Sequence, residues 1–308
     1  MVYNIWSKKL QVDDTSLIFK TARLYPNVPE LNNVWYVDGN LGNNALDGKS
    51  WSTAFLTMAK AFTSCGSGDV IVMRGNIAEQ VSTPVGIFDV TIVGAGNQPR
   101  HADAHTTNNG YKAATWKTPG SPTATTPLLT IRQQGWKLAN ILFDGPSDAA
   151  AVQLFRDGGA GDSERDASHA HILGCKFVAA QNHIEFKGGL SQVVIENNLF
   201  FGSTGDSFLE TVGAGIGTNN YFRILDNVFH NNASHIDVGM TYGTIRGNTF
   251  GKASGDKVDL RGGEENVVTL NYLYGTYSNA GGYYAGTNDE WGGNMNVISG
   301  GWTAADPA

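Results

Sequence analysis

Hydrophobic and polar positions alternate along this chain in short runs that return at intervals. ILGCKF (172–177), IENNLF (195–200), ILDNVF (224–229), IRGNTF (245–250) and the weaker TLNYLY (269–274) share an apolar start, a polar middle and an aromatic end. LANILF (138–143) fits as an earlier member. The aromatic positions Phe143, Phe177, Phe200, Phe229, Phe250 and Tyr274 lie 34, 23, 29, 21 and 24 residues apart. A second short run follows each motif: AVQL (151–154), HIEF (183–186), FLET (208–211), HIDV (235–238) and KVDL (257–260). Alternation with a period of two marks these runs as strands. Their regular return marks each unit as one coil rather than a hairpin.

Stacked coils bury their apolar positions in one continuous core and set equivalent residues about 4.8 Å apart. The chain is therefore expected to be all-β, a single-stranded right-handed parallel β-helix. One slot supports this. Asn198, Asn227 and Asn248 sit two residues before the aromatic in three successive motifs, after Cys175 and before Tyr272. An amide both donates and accepts, and Asn tolerates left-handed backbone, so a stacked asparagine ladder is expected there.

Upstream, VWYV (34–37) reads as a strand and GSGDVIVMRG (66–75) as a glycine turn followed by a strand. Between them STAFLTMAKAF places Phe55, Met58, Ala59 and Phe62 at helical spacing behind Ser52 or Thr53 as N-cap, which predicts a capping helix over 52–63. The loop DGNLGNNALDG (38–48) spaces oxygen ligands in a way that invites a calcium reading through Asp38, Asn40 and Asp47. It lacks the bidentate Glu and the matching glycine of an EF-hand, so a self-bonded turn is the simpler account, with a structural calcium as the alternative. Three parts follow: an arm or anchor over 1–33, the β-helix over 34–277, and a Gly/aromatic segment over 278–308.

The stretch YVDGNLGNNALDGKSWSTAFLTMAKAF…GSGDVIVMRGNIAEQV (36–81) resembles the entry segment of pectate-lyase-like right-handed β-helix proteins. In that superfamily a strand, a Gly/Asn/Asp loop, a capping helix and a G-D-I-V-x-x-G-x-x-x-E strand open the solenoid. The resemblance implies the fold. It does not imply one function, because the same entry segment serves polysaccharide lyases, hydrolases and bacteriophage tailspikes.

Composition narrows the function classes. Glycine makes up 39 of 308 residues and charged residues only 16%, as a turn-rich solenoid with few charged helices would have. The net charge of −7 argues against a nucleic-acid surface. Cys65 and Cys175 show no metal or disulfide spacing and are expected to be reduced and buried. No run is long and apolar enough for membrane insertion, and no export signal is read at the start of the chain.

The sharpest chemical candidate is an outward column on the second strands: Gln153, Glu185, Glu210, Asp237 and Asp259, with a one-residue bulge needed to bring Glu210 into line. Carboxylates one and two coils apart lie at roughly 5 and 10 Å, which brackets the separations used by glycosidases. A solvated outer face neutralised by Lys187, Arg246 and Arg261 is the plainer reading, and no catalytic residue is assigned. His169 with His171, and His101 with His105, lack a third metal ligand. The tail holds Tyr283, Tyr284, Trp291 and Trp302 among glycines, as a cap, a subunit contact or a glycan contact would.

With these features, the resemblance implies a bacteriophage virion structural protein, a β-helix spike or capsid decoration on the particle surface, docked to other virion proteins through residues 1–33 and, on the resemblance alone, a homotrimer. The alternative is a phage-type depolymerase acting on a host-surface glycan. No cofactor is expected beyond the structural calcium.

Overall fold

The computed structural model describes residues 33–96, 114–156, 165–211, 219–296, 301–302 and 307. Residues 1–32, and with them the proposed arm, lie outside the described residues, as do His101 and His105. Among the described residues, three sheets of ten, eight and ten strands wrap around the main core, parallel but for the last pairing, and a fourth sheet pairs Asn219–Asn220 with Met240–Thr241. Successive strands of each sheet come from successive coils, so the chain is a right-handed parallel β-helix as expected.

The repeat motifs form the bend between the two ten-stranded sheets. Ile172, Ile195, Ile224, Ile245 and Val268 pair in register in one sheet. Phe143, Phe177, Phe200 and Phe229 pair in the other and stack with centroids 4.9 Å apart, and Phe250 continues the stack at 5.1 Å. The weak fifth repeat is shifted by one residue. Leu273, not Tyr274, pairs with Phe250, and Tyr274 is exposed. An inward slot takes any apolar side chain of suitable size, so an aromatic one position away misled the alignment.

Asparagines fill the buried bend as predicted, and further than predicted. Asn198 donates to Asn227 Oδ1, Asn227 to Asn248 and Asn248 to Asn271, each at 3.0 Å, and Asn271 donates to Asn294 at 2.9 Å. Tyr272 is therefore not in the ladder slot; Asn271 is. Each amide oxygen also accepts the backbone N–H of the coil before, beginning with Cys175 N at 2.8 Å. All five amides are buried with donor and acceptor capacity used.

The capping helix is shorter than predicted. Trp51–Thr53 is a 3-10 turn and the α-helix spans Met58–Ser64, with Thr57 as N-cap in place of Ser52 or Thr53. Phe55 precedes the helix and Ala59 is exposed; Met58, Ala61 and Phe62 form the buried face. Glu79, the last residue of the entry motif, accepts from Met58 N and Ala59 N at 3.0 Å each. That acid therefore satisfies the otherwise orphaned donors of the helix start.

Asp38 accepts from Asn40 N and Leu41 N at 3.0 Å and pairs with Arg74 at 2.7 Å. Asn40 accepts from Asn76 N, and Asp47 from Lys49 N. The side chains of all three calcium candidates thus accept backbone N–H bonds of the loop and its neighbours. Gly48 has φ +67, and a Cβ there would meet the Phe55 ring at 2.4 Å, so this turn requires glycine.

The solenoid also runs past residue 277. Tyr283–Tyr284, Glu290–Gly292 and Met295–Asn296 add one strand to each sheet, and Gly301–Trp302 pairs antiparallel with the last. Cys65 and Cys175 are free and buried, and burial pushes their thiols up to about 11 and about 12. No helix among the described residues is long and apolar enough to cross a membrane.

Candidate functional site

The eight-stranded sheet carries the predicted outward column, with one change. Register runs Thr130, Gln153, Glu185, Leu209, Asp237, Asp259, Tyr284 through successive coils. Asp206–Thr211 is continuous and has no bulge: Phe208 pairs with Ile184 and Ile236 on the core side, so Leu209 takes the outward slot and Glu210 follows it. Burying Phe208 decided the register, because a one-residue slip would have turned it to solvent. Aligning Phe208 with the two isoleucines in the sequence would have shown this.

Glu210 instead holds the turn that leaves the sheet. It accepts from Asn219 Nδ2 at 2.8 Å and from Gly239 N at 2.6 Å. Burial, followed by the charge of Asp237, pushes its carboxyl up to about 6 against those two bonds.

Three carboxylates remain in the slot, in different surroundings. Glu185 is half-buried and accepts from Gln153 Nε2 and Thr211 Oγ1, both at 2.7 Å. Asp259 is buried and held by Arg261, whose Nε lies 3.0 Å from both oxygens and whose NH2 group also bonds Oδ2. The Arg261 guanidinium lies over Tyr284, 4.0 Å from the ring centroid. Asp237 is not bonded in this way, and Arg261 acts on it only weakly through its charge. It opens to solvent beside Asp259, Asp206 and Asp256, and partial desolvation, then repulsion from those three in that order, pushes its carboxyl up to about 6.

Leu209 leaves Glu185 and Asp237 two coils apart, roughly 10 Å along the slot, with an apolar side chain between them. Asp237 is the slot carboxyl whose proton affinity is raised, and Glu185 is the one held in place by two hydrogen bonds. Of the predicted neutralising cations, Arg261 reaches the slot, Lys187 lies over Phe155, and Arg246 belongs to a different sheet.

The predicted contact residues of the tail separate. Tyr283 and Trp291 are buried in the core, with the Tyr283 hydroxyl donating to Tyr274 O at 2.8 Å. Tyr284 faces outward in the carboxylate slot, and the Trp302 side chain lies outside the described residues. Aromatics at an alternating strand position were legible, but their side depended on coil register. His171 pairs with Glu196 at 3.0 Å and His169 is exposed. No three His, Cys, Asp or Glu side chains among the described residues are placed to hold a metal.

No family model and no curated protein sequence matches the chain. Solved structures do. Pectate lyase Pel9A superposes with a TM-score of 0.58 at 11% identity, over 86% of this chain and 70% of that one. The pectin methylesterase from Aspergillus niger superposes at 0.53 and 13% identity, over 87% and 86% of the two chains. A pectate lyase from a Bacillus species, in complex with trigalacturonate, superposes at 0.52 and 12% identity, over 85% and 82%. At these identities the likeness is one of fold.

Proposed function

We propose that this protein is a glycan depolymerase that binds a polysaccharide along the outer face of the eight-stranded sheet and hydrolyses it with inversion. One observation carries the reading: Glu185 and Asp237 share an outward slot two coils apart, with only Leu209 between them and the Asp237 carboxyl pushed up to about 6. Two coils at about 4.8 Å each put the backbones of the pair at the upper limit of the roughly 6.5–9.5 Å that separates inverting carboxyls, which leaves room for a water between acid and sugar.

In this scheme Asp237 donates its proton to the glycosidic oxygen as the bond from that oxygen to the anomeric carbon breaks. Glu185 takes a proton from the water whose oxygen forms the new bond on the opposite face. Leu209 offers the sugar ring an apolar floor, and Arg261 with Tyr284 borders the same slot. The fold neighbours act on polysaccharides by name, which agrees with the reading without assigning a substrate. This departs from the virion spike expected above, for which no structural observation speaks.

The test is reducing-end release from capsular, lipopolysaccharide and plant cell-wall polysaccharides by the wild type, Asp237→Asn and Glu185→Gln. Product that disappears in both variants, with inverted anomeric configuration in the wild type, supports the assignment. Release unchanged by either variant, or absent from every polymer, overturns it.

A further inference from the structure

A second outward line of residues follows the turn that leaves the eight-stranded sheet. His169, Gln192, Tyr221, Tyr242, Glu265 and Asn288 occupy equivalent positions in successive coils, each with φ between 54° and 61°. The N–H of Tyr221 bonds Thr241 O, that of Tyr242 bonds Glu264 O, and that of Glu265 bonds Thr287 O, at 2.9, 3.2 and 2.9 Å. All six residues are exposed.

Left-handed backbone disfavours bulky side chains, and the asparagine-ladder bend of the same solenoid uses glycine, asparagine or aspartate at every such position but Leu270. Its own left-handed positions are Asn140, Gly174, Asn197, Asp226, Gly247, Leu270 and Gly293. The outer turn places two tyrosines where glycine or asparagine would sit without strain. Burial does not repay the strain, since Tyr221 is 52% exposed and Tyr242 49%. Their rings stack on one another, 5.3 Å between centroids at 18°. The Glu265 carboxylate raises the pKa of the exposed Tyr242 phenol by its charge and by a hydrogen bond to it. Strained, exposed residues whose rings stack on one another rather than on the core point to function.

We propose that the Tyr221–Tyr242 ridge is a distal glycan-binding subsite, which carries the polysaccharide away from the slot that holds Asp237. This deepens the depolymerase reading and rests on it. The occupant follows from continuity. Tyr242 is five residues beyond Asp237 in one coil, a span of at most about 17 Å. Glu210, in the preceding coil, ties the two coils together through Gly239 N, between slot and ridge. Amphipathic rings flanked by the amide of Gln192 and the carboxylate of Glu265 present the apolar surface and hydrogen-bonding groups that a sugar ring requires.

The experiment uses the full chain with Tyr221→Asn and Tyr242→Asn, asparagine being at ease in this backbone. Affinity electrophoresis in gels cast with xylan, β-glucan, polygalacturonate or lipopolysaccharide is combined with cleavage of the retained polymer and of its short oligosaccharides. The expected result is about tenfold weaker retention and a similar rise in KM on the polymer for each variant, with kcat on short oligosaccharides unchanged. Tm should hold or rise, because relief of backbone strain opposes loss of the ring stack. Wild type that cleaves while the variants match it on long polymers overturns the subsite and leaves the depolymerase reading intact. Wild type that is retained without cleaving, with retention lost in the variants, supports the ridge and removes the hydrolytic assignment. No retention of any polymer overturns both. A sharp fall in Tm with unchanged retention, or a change of oligomeric state on light scattering, shows the ridge to be structural or a contact between copies.

Discussion

The asparagine ladder and the carboxylate slot are the same device geometrically: one residue per coil, repeated at strand spacing along the solenoid. Chemically they differ. An amide meets its own copy with a donor facing an acceptor, so five asparagines follow one another without interruption. A carboxylate meets its own copy with repulsion, so the outer slot is broken by Leu209, screened by Arg261 at Asp259 and bonded by Gln153 at Glu185. Identical neighbours reinforce a buried neutral ladder and must be separated in a charged one. Within the slot, the carboxylate whose proton affinity rises is Asp237, which is desolvated beside Asp259, Asp206 and Asp256.

The largest effect should come from the outer slot. Asp237→Asn is expected to lower kcat about 10²- to 10⁴-fold, the usual contribution of a general acid, while leaving the fold intact. In the wild type the rate should fall as pH rises through about 6, where Asp237 loses its proton. Initial rates across a pH series check both points.

The inner ladder should answer with stability instead. Asn227→Leu strands the Asn198 amide and the backbone groups bonded to Asn227, and is expected to cost about 1–3 kcal/mol in denaturant unfolding. Little change there would mean that the ladder follows the fold rather than supports it.

Leu209→Asp tests the comparison directly by turning the outer slot into an unbroken acidic column. Like charges in adjacent strands cost roughly 0.2–1 kcal/mol, and the added charge should move the pH limb of any activity upward. Two-dimensional NMR titration of the Asp237 carboxyl carbon follows the shift.

In stability against pH, inside and outside differ in sign. Asp237 has a raised folded pKa, so its contribution is full below 3.8 and lost as pH rises through about 6. Asp237→Asn should therefore raise Tm at pH 8 and leave it unchanged at pH 3.5. His183 and His235 are buried against phenylalanine rings, and burial depresses them to about 3 and about 4. Their contribution is full above 6.5 and lost as pH falls toward those values. His183→Leu should flatten the acid limb of the Tm profile.

Hydrophobic period and asparagine spacing determined the coil, the inward faces and the ladder, because those features depend on residues near one another in sequence and on alternation alone. The entry motif likewise announced a helix, although the cap at Thr57 and the role of Glu79 required two segments to meet. Register across coils was a tertiary matter. Whether Leu209 or Glu210 faces outward, whether Leu273 or Tyr274 joins the core, and whether Tyr283 packs inside were settled by close packing against neighbouring coils 20 to 30 residues away. The candidate site depends on that choice, since a one-residue shift replaces an unbroken acidic column with one interrupted by Leu209 between Glu185 and Asp237.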